Sequence, residues 1–255
     1  MEFPSFRLDG KIALVTGAGQ GIGRGIALAF ANAGATVVVV DHAESAARSV
    51  ERELATLGMP GLTVVMNVRD AAAIRGTVDA VLFKYGRVDI MVNNAGVRVH
   101  KRVLDHTQQD WEDVFGVNCT AVFLFCQAAA AAMRDSGGGV IINISSQMAE
   151  VTSPFRVAYC ASKAAVVQMT RVMAVDWAPY NIRVNAIGPG PTATPFTLDA
   201  SARGDMPVTD RKVSLGRMGG IEEIAASAVY LASDAATFVT GAFLIVDGGQ
   251  SVHWP

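Results

Sequence analysis

Short β-branched runs alternate with longer alanine-rich segments from one end of the chain to the other. The runs predict strands at Ile12–Thr16, Thr36–Asp41, Leu62–Met66, Val88–Asn93, Gly139–Ser145, Ile182–Ile187 and Ala242–Val246. Several are apolar at every position rather than at alternate ones, the mark of strands covered on both faces. The segments between them predict helices at Ile22–Ala33, Glu44–Leu57, Ala71–Tyr85, Gln108–Ser136, Val157–Ala178 and Glu222–Ala232. Strand and helix in strict alternation predict an α/β fold, a doubly wound domain whose seven-stranded parallel sheet carries helices on both faces. No Pro- or Gly-rich linker divides the 255 residues, so residues 1–255 read as a single domain. Only Pro189 to Met218 breaks the rhythm, with Pro and Gly in a polar stretch that reads as a lid over a binding site.

Composition narrows what such a domain can do. Half of the residues are hydrophobic and 17% are charged, which suits a deep core. A net charge of −2 offers no basic field for a phosphodiester backbone, so nucleic acid is not an expected partner. Cys119, Cys126 and Cys160 read as thiols in a reducing compartment, and the four scattered histidines predict no metal site. The start of the chain lacks a signal-peptide pattern, and the apolar stretch Ala121 to Met133 is too short to span a bilayer. The expectation is a cytoplasmic protein with a small-molecule partner and no membrane contact.

The first strand runs into Thr16-Gly17-Ala18-Gly19-Gln20-Gly21-Ile22-Gly23 and then into a helix. In Rossmann-type folds this is where a dinucleotide pyrophosphate meets helix amides, and glycines let the backbone approach it. Asp41 ends the second strand, 18 residues after Gly23, where a carboxylate can accept hydrogen bonds from the adenosine ribose and repel a 2′-phosphate. His42 and Gln20 supply no fixed positive charge to offset it, so NAD is expected over NADP. Asp41 can equally cap the following helix; the two roles are compatible.

Further along, Tyr159 and Lys163 lie four apart on a helical pattern, so their side chains share a face. A phenol needs its ordinary pKa of ~10 lowered by about 3 units to act as a base at neutral pH, and an ammonium ~4 Å away supplies about that. Ser146 ends the strand before this helix, while Asn93-Asn94-Ala95-Gly96 ends the fourth strand and Asn118 follows it.

Taken with Asn185 and Pro189-Gly190, these motifs resemble the short-chain dehydrogenases/reductases, in family order and over nearly the whole chain. The resemblance implies that Ser146 orients the substrate oxygen, Tyr159 exchanges its proton, Lys163 tunes the phenol and binds the nicotinamide ribose, and Asn118 holds a relay water. It also implies a cofactor surface of Gly17, Gln20, Gly21, Ile22, Gly23, Asp41, Asn67, Val68, Asn94, Ala95, Gly96, Tyr159, Lys163, Pro189, Gly190, Thr192 and Thr194, with the Ile187 backbone at the carboxamide end. Two positions depart from the family pattern: Asn67 stands where many relatives have Asp, and Thr192 where an aliphatic residue is usual.

The substrate is read from the polar residues expected around Ser146 and Tyr159, namely Arg98, His100, Gln147, Glu150 and Ser153, with the lid. They suit a polyol, sugar or sugar acid, Arg98 or Arg156 pairing with a carboxylate; each can also be a solvated loop residue. The expected activity is NAD-dependent hydride transfer to and from a secondary alcohol. A 3-oxoacyl-thioester reductase shares these motifs, and a nucleotide-sensing scaffold is the non-enzymatic alternative. Relatives commonly form homotetramers, and the tail Val246 to Pro255, with Trp254 near its end, reads either as an arm to a neighbouring subunit or as a frayed terminus.

Overall fold

A computed structural model describes residues 3–202 and 213–252. Seven parallel strands form one sheet in the order β3-β2-β1-β4-β5-β6-β7. They are β1 Ile12–Thr16, β2 Thr36–Asp41, β3 Leu62–Val65, β4 Ile90–Asn93, β5 Gly139–Ile144, β6 Ile182–Pro189 and β7 Phe243–Val246. The helices are α1 Gly21–Asn32, α2 Glu44–Thr56, α3 Ala71–Tyr85, α4 Gln108–Phe115, α5 Ala121–Asp135, α6 Val157–Trp177, α7 Pro195–Ala202 and α8 Ile221–Ala232.

Successive strand residues face opposite layers, which accounts for the continuous apolar runs. Ala13 and Val15 of β1 join a core with α1, α2 and α8, while Ile12 and Leu14 join a second core with α3, α5 and α6. β1 pairs with β2 on one side and β4 on the other, so the chain reverses direction across the sheet beside β1. A crevice opens above that point, at the carboxyl ends of the strands, and ligands of doubly wound folds bind there.

Three features differ from the sequence expectation. The helix expected over Gln108–Ser136 is interrupted by a π turn at Gly116–Thr120, and Asn118 sits in it; such one-turn bulges recur at functional sites. Through that turn the helical run Gln108–Asp135 reaches 28 residues, long enough to cross a membrane by length and composition, where the apolar stretch Ala121 to Met133 by itself read as too short. Phe125, Cys126, Ala129 and Met133 are buried in the second core, so its apolar character belongs to the interior. The third difference lies in the lid, where Pro195–Ala202 forms α7. Thr194 Oγ1 accepts from Thr197 N and Pro195 takes the first helical position, a start signal present in the sequence but overlooked amid the neighbouring prolines. Residues 203–212 of that lid, with Met206, and the tail residues His253, Trp254 and Pro255 lie outside the described residues.

Candidate active site

The glycine turn is built for close backbone approach. Gly17 has φ +62°, and a Cβ on Gly23 would stand 2.2 Å from the Gly17 carbonyl oxygen and 2.4 Å from Asn94 Nδ2. Asn94 holds the turn against β4: its Nδ2 donates to the carbonyls of Thr16 (2.9 Å) and Gly17 (3.0 Å), while its own N–H donates to Thr16 Oγ1. Asp41 holds it from β2, where Oδ2 accepts from Gly19 N at 2.9 Å and Oδ1 from Ala43 N at 3.0 Å. Asp41 therefore shapes the turn and the start of α2, and each oxygen keeps a further lone pair for a ligand. At the head of α1, Gln20 makes no side-chain cap bond and the first turn holds no acid, which leaves the helix amides to an anion. A cradle that a Cβ would fill, backed by uncapped amides, fits a dinucleotide pyrophosphate.

The same cleft, about 920 Å³, runs from Asp41 to the chemical residues. Of the sequence-predicted cofactor residues it brings together Gly17, Gln20, Gly21, Ile22, Asp41, Asn67, Val68, Asn94, Ala95, Gly96, Tyr159, Lys163, Pro189, Gly190, Thr192 and Thr194. Gly23 lies behind the turn and acts through packing. Asn67 Oδ1 accepts from Arg69 N at 3.0 Å, closing its own loop. Thr192 is buried, with its hydroxyl donating to Gly190 O at 3.1 Å and its backbone bridged to Gly219. The unusual hydroxyl is thus satisfied within the loop.

At the chemical end, Ser146 Oγ accepts from Met148 N at 3.2 Å, leaving its proton for another oxygen. Burial pushes the Tyr159 phenol up from its ordinary value; a hydrogen bond with Ser146 opposes this most, followed by the charges of Arg98 and Arg156, while Cys160 adds slightly to the rise. The direct lowering expected from Lys163 is not part of this balance. Its Nζ lies 5.7 Å from the Tyr159 ring centroid and donates to the Ile144 carbonyl at 2.9 Å. Burial holds the ammonium down at about 8, weakly opposed by Cys119.

Asn118 is fully buried. Its Oδ1 accepts from Val97 N at 2.9 Å, and Nδ2 donates to Val97 O and Ser162 Oγ, each at 3.0 Å. The side chain thereby clamps the loop after β4 to α6, next to Tyr159 and Lys163.

Of the expected substrate residues, Arg98 and Gln147 line the cleft. His100, Glu150 and Ser153 do not: His100 packs edge-on against Phe155, with ring centroids 5.2 Å apart, and Glu150 is exposed on the connection between β5 and α6. Arg156 is buried in the wall. Phe196, inside the expected lid, also lines the wall, and so does Gln250, which sequence reasoning missed. Arg98 stacks 3.9 Å above the Phe196 ring and donates to its carbonyl at 2.6 Å, and Gln147 Nε2 donates to Gln250 Oε1. Neither pairing had a sequence signal, since the partners stand 98 and 103 residues apart. Among the described residues, no group of three or more His, Cys, Asp or Glu is arranged to hold a metal.

A family model described as enoyl-(acyl carrier protein) reductase matches residues 17–251, spanning the glycine turn and every chemical residue above. The chain belongs to the short-chain dehydrogenase/reductase family. It is 41% identical over 249 residues to D-threitol dehydrogenase of Mycolicibacterium smegmatis, covering 97% of this chain and 95% of that one. It is 39% identical over 245 residues to the 3-oxoacyl-[acyl-carrier-protein] reductase FabG of Thermotoga maritima, covering 95% and 98%. Among solved structures, a gluconate 5-dehydrogenase from Burkholderia cenocepacia in complex with NADP and tartrate superposes with a TM-score of 0.91 at 36% identity, covering 98% of each chain. The protein is thus a nicotinamide-dependent oxidoreductase acting on CH–OH groups.

Proposed function

We propose that this short-chain dehydrogenase uses NAD to oxidise a secondary alcohol of a polyol, sugar or sugar acid, as a cytoplasmic homotetramer. The observation that carries the reading is one cleft holding Asp41 at one end and Ser146, Tyr159 and Lys163 at the other. At the Asp41 end the wall is lined by Gln20, His42, Ala43, Ala46, Val65 and Asn67, and among the described residues no Lys or Arg stands there to receive a 2′-phosphate. At the other end, Arg98, Arg156, Gln147 and Gln250 make the wall polar. The threitol relative supports a hydroxylated substrate.

The nicotinamide ring, when bound, accepts or donates the hydride. Tyr159 exchanges the proton of the reacting oxygen, Ser146 donates a hydrogen bond to that oxygen, and Lys163 holds its charge against the nicotinamide ribose. Asn118 positions Lys163 and Tyr159 by fixing α6 to the loop after β4. A phenol raised by burial retains its proton at neutral pH, so alcohol oxidation climbs with pH across the alkaline range, while carbonyl reduction holds at lower pH.

The homotetramer reading is supported by exposed apolar side chains on and beside the long helices, Leu104, Trp111, Phe123, Val172 and Val175. β7 adds an edge strand that is only half-buried. Light scattering is expected to give the mass of four chains. Unpaired Cys119, Cys126 and Cys160 support a reducing compartment.

The deciding experiment titrates NADH and NADPH and screens polyols, sugars and sugar acids by nicotinamide absorbance, with Tyr159→Phe beside the parent. NADH is expected to bind more tightly, and Tyr159→Phe to lose about 10³-fold in kcat at unchanged NADH affinity. Saturation by NADPH alone, with faster turnover of a 3-oxoacyl thioester than of any polyol, would establish the reductase reading instead.

A further inference from the structure

Gln147 is 4% exposed, and its Oε1 is buried without a hydrogen-bond partner. Its Nε2 is held by Gln250 Oε1, across 103 residues of sequence. Both glutamines line the cleft beside Ser146. Gln250 is itself fixed: it lies in the turn after β7, where Asp247 Oδ1 accepts from Gly249 N (2.8 Å) and Oδ2 from Ser251 N (2.6 Å). An amide so placed, with one arm tied and the other buried and unbonded, is costly in a folded protein unless a ligand completes it.

We infer that Gln147, positioned by Gln250, reads a second hydroxyl on the carbon next to the one oxidised, making the enzyme selective for vicinal diols. The inference rests on the dehydrogenase reading above and narrows its substrate. Ser146 and Gln147 are consecutive, with Cα atoms about 3.8 Å apart. Gln147 opens a 3-10 turn, and both residues line the same cleft. One meets the reacting oxygen and the other faces its neighbour. A hydroxyl suits this amide in either sense: it donates to Oε1 where a small turn of the side chain brings that atom to the cleft, and accepts from Nε2 if both amides turn over together. A keto oxygen can only accept, and a hydrogen or methyl group at that carbon leaves the amide unbonded.

The test compares kcat/KM for cis-1,2-cyclopentanediol and cyclopentanol, and for 2,3-butanediol and 2-butanol, in the parent, Gln147→Leu, Gln250→Leu and Gln250→Glu. The parent is expected to favour each diol about tenfold to a hundredfold, the discrimination of a site left with an unpaired polar group by the poorer substrate. Gln147→Leu should erase the preference by slowing the diol about tenfold to a hundredfold more than the mono-ol. Gln250→Leu should reduce the preference several-fold, and Gln250→Glu, which keeps an acceptor for Gln147 Nε2, should restore it.

A merely structural amide would give the opposite pattern. Gln147→Leu would then lower Tm and slow diol and mono-ol alike, whereas the inference expects Tm unchanged or higher because a buried unbonded oxygen is removed. Calorimetric binding of each diol to the NADH-saturated protein supplies a readout free of turnover and should weaken in Gln147→Leu. Equal kcat/KM for diol and mono-ol in the parent would overturn the inference and leave the dehydrogenase standing. Absence of oxidation of every alcohol would overturn the dehydrogenase reading itself.

Discussion

The two ends of the cleft are held together in different ways. Around the glycine turn the contacts run mainly to backbone: Asn94 to the carbonyls of Thr16 and Gly17, and Gly19 and Ala43 amides to Asp41. Around Ser146 the contacts that close the wall depend on side chains drawn from distant parts of the chain, Arg98 on Phe196 and Gln147 on Gln250. A dinucleotide is the same molecule in every turnover, so a surface of fixed amides and absent side chains serves it. A substrate wall made of side chains can be altered without moving the sheet. The two ends should accordingly fail differently when perturbed.

The largest effect is expected at Gly23→Ala. Its Cβ would meet a backbone oxygen at 2.2 Å, and neither Gly17 nor Asn94 can withdraw without breaking the bonds that shape the turn. Overpacking of this kind costs about 1–3 kcal/mol. Displaced amides should weaken NADH binding by about 100-fold, equivalent to two lost hydrogen bonds. Fluorescence titration of NADH against thermal unfolding checks both numbers. A variant that loses stability but binds NADH normally would mean that the turn is not what holds the pyrophosphate.

Arg98→Ala should act on the other end alone. The stack on Phe196 contributes about 0.5–2 kcal/mol and the bond to its carbonyl about 1 kcal/mol. Removing both should raise KM for the alcohol roughly tenfold and leave NADH affinity unchanged. Arg98 also helps to hold the Tyr159 phenol down, so the pH profile of alcohol oxidation should shift to higher pH. A parallel loss of NADH affinity would erase the distinction between the two ends.

The same distinction explains what could be read from the sequence. The strands and most helices are legible because burial on both faces requires uninterrupted apolar runs and the helices carry alanine-rich faces; their ends move by only a residue or two. The glycine turn, Asp41, Ser146, Tyr159 and Lys163 are legible because each lies at a strand end or on one helix face, where local spacing fixes position. Glu150 and His100 were misplaced because proximity in sequence to Ser146 or Gly96 does not determine which way a loop turns. Gln250 reaches the wall only because β7 pairs beside β6, and the lid that holds Phe196 was legible as a lid but not as a helix that brings this ring against Arg98. The effect expected of Lys163 was inferred from helical spacing, which fixes a shared face but not the length or direction of two long side chains.

That last point leads to the smallest effect, which concerns the seam between the ends. Lys163 is buried, and its ammonium is held down at about 8 against an ordinary 10.5. In the folded protein the proton leaves near pH 8, while the unfolded chain keeps it to about 10.5. Between those values the unfolded state binds more protons, so stability from this group rises with pH. Below pH 8 both states are protonated and the cost of burying the charge is felt in full, about 3 kcal/mol at ~1.4 kcal/mol per pKa unit. Lys163→Met removes that cost but leaves the Ile144 carbonyl without its donor, which costs about 1–3 kcal/mol. The net change at pH 7 is therefore small, from near zero to about 2 kcal/mol of stabilisation, although activity should be lost. The sharper measurement is the change with pH. Urea unfolding at pH 7 and pH 9.5 should show the parent gaining about 2 kcal/mol relative to Lys163→Met, because the variant lacks the titrating group. A difference that stays constant across that range would mean that Lys163 keeps an ordinary ammonium in the cofactor-free protein. The phenol would then have a full positive charge beside it well above pH 8.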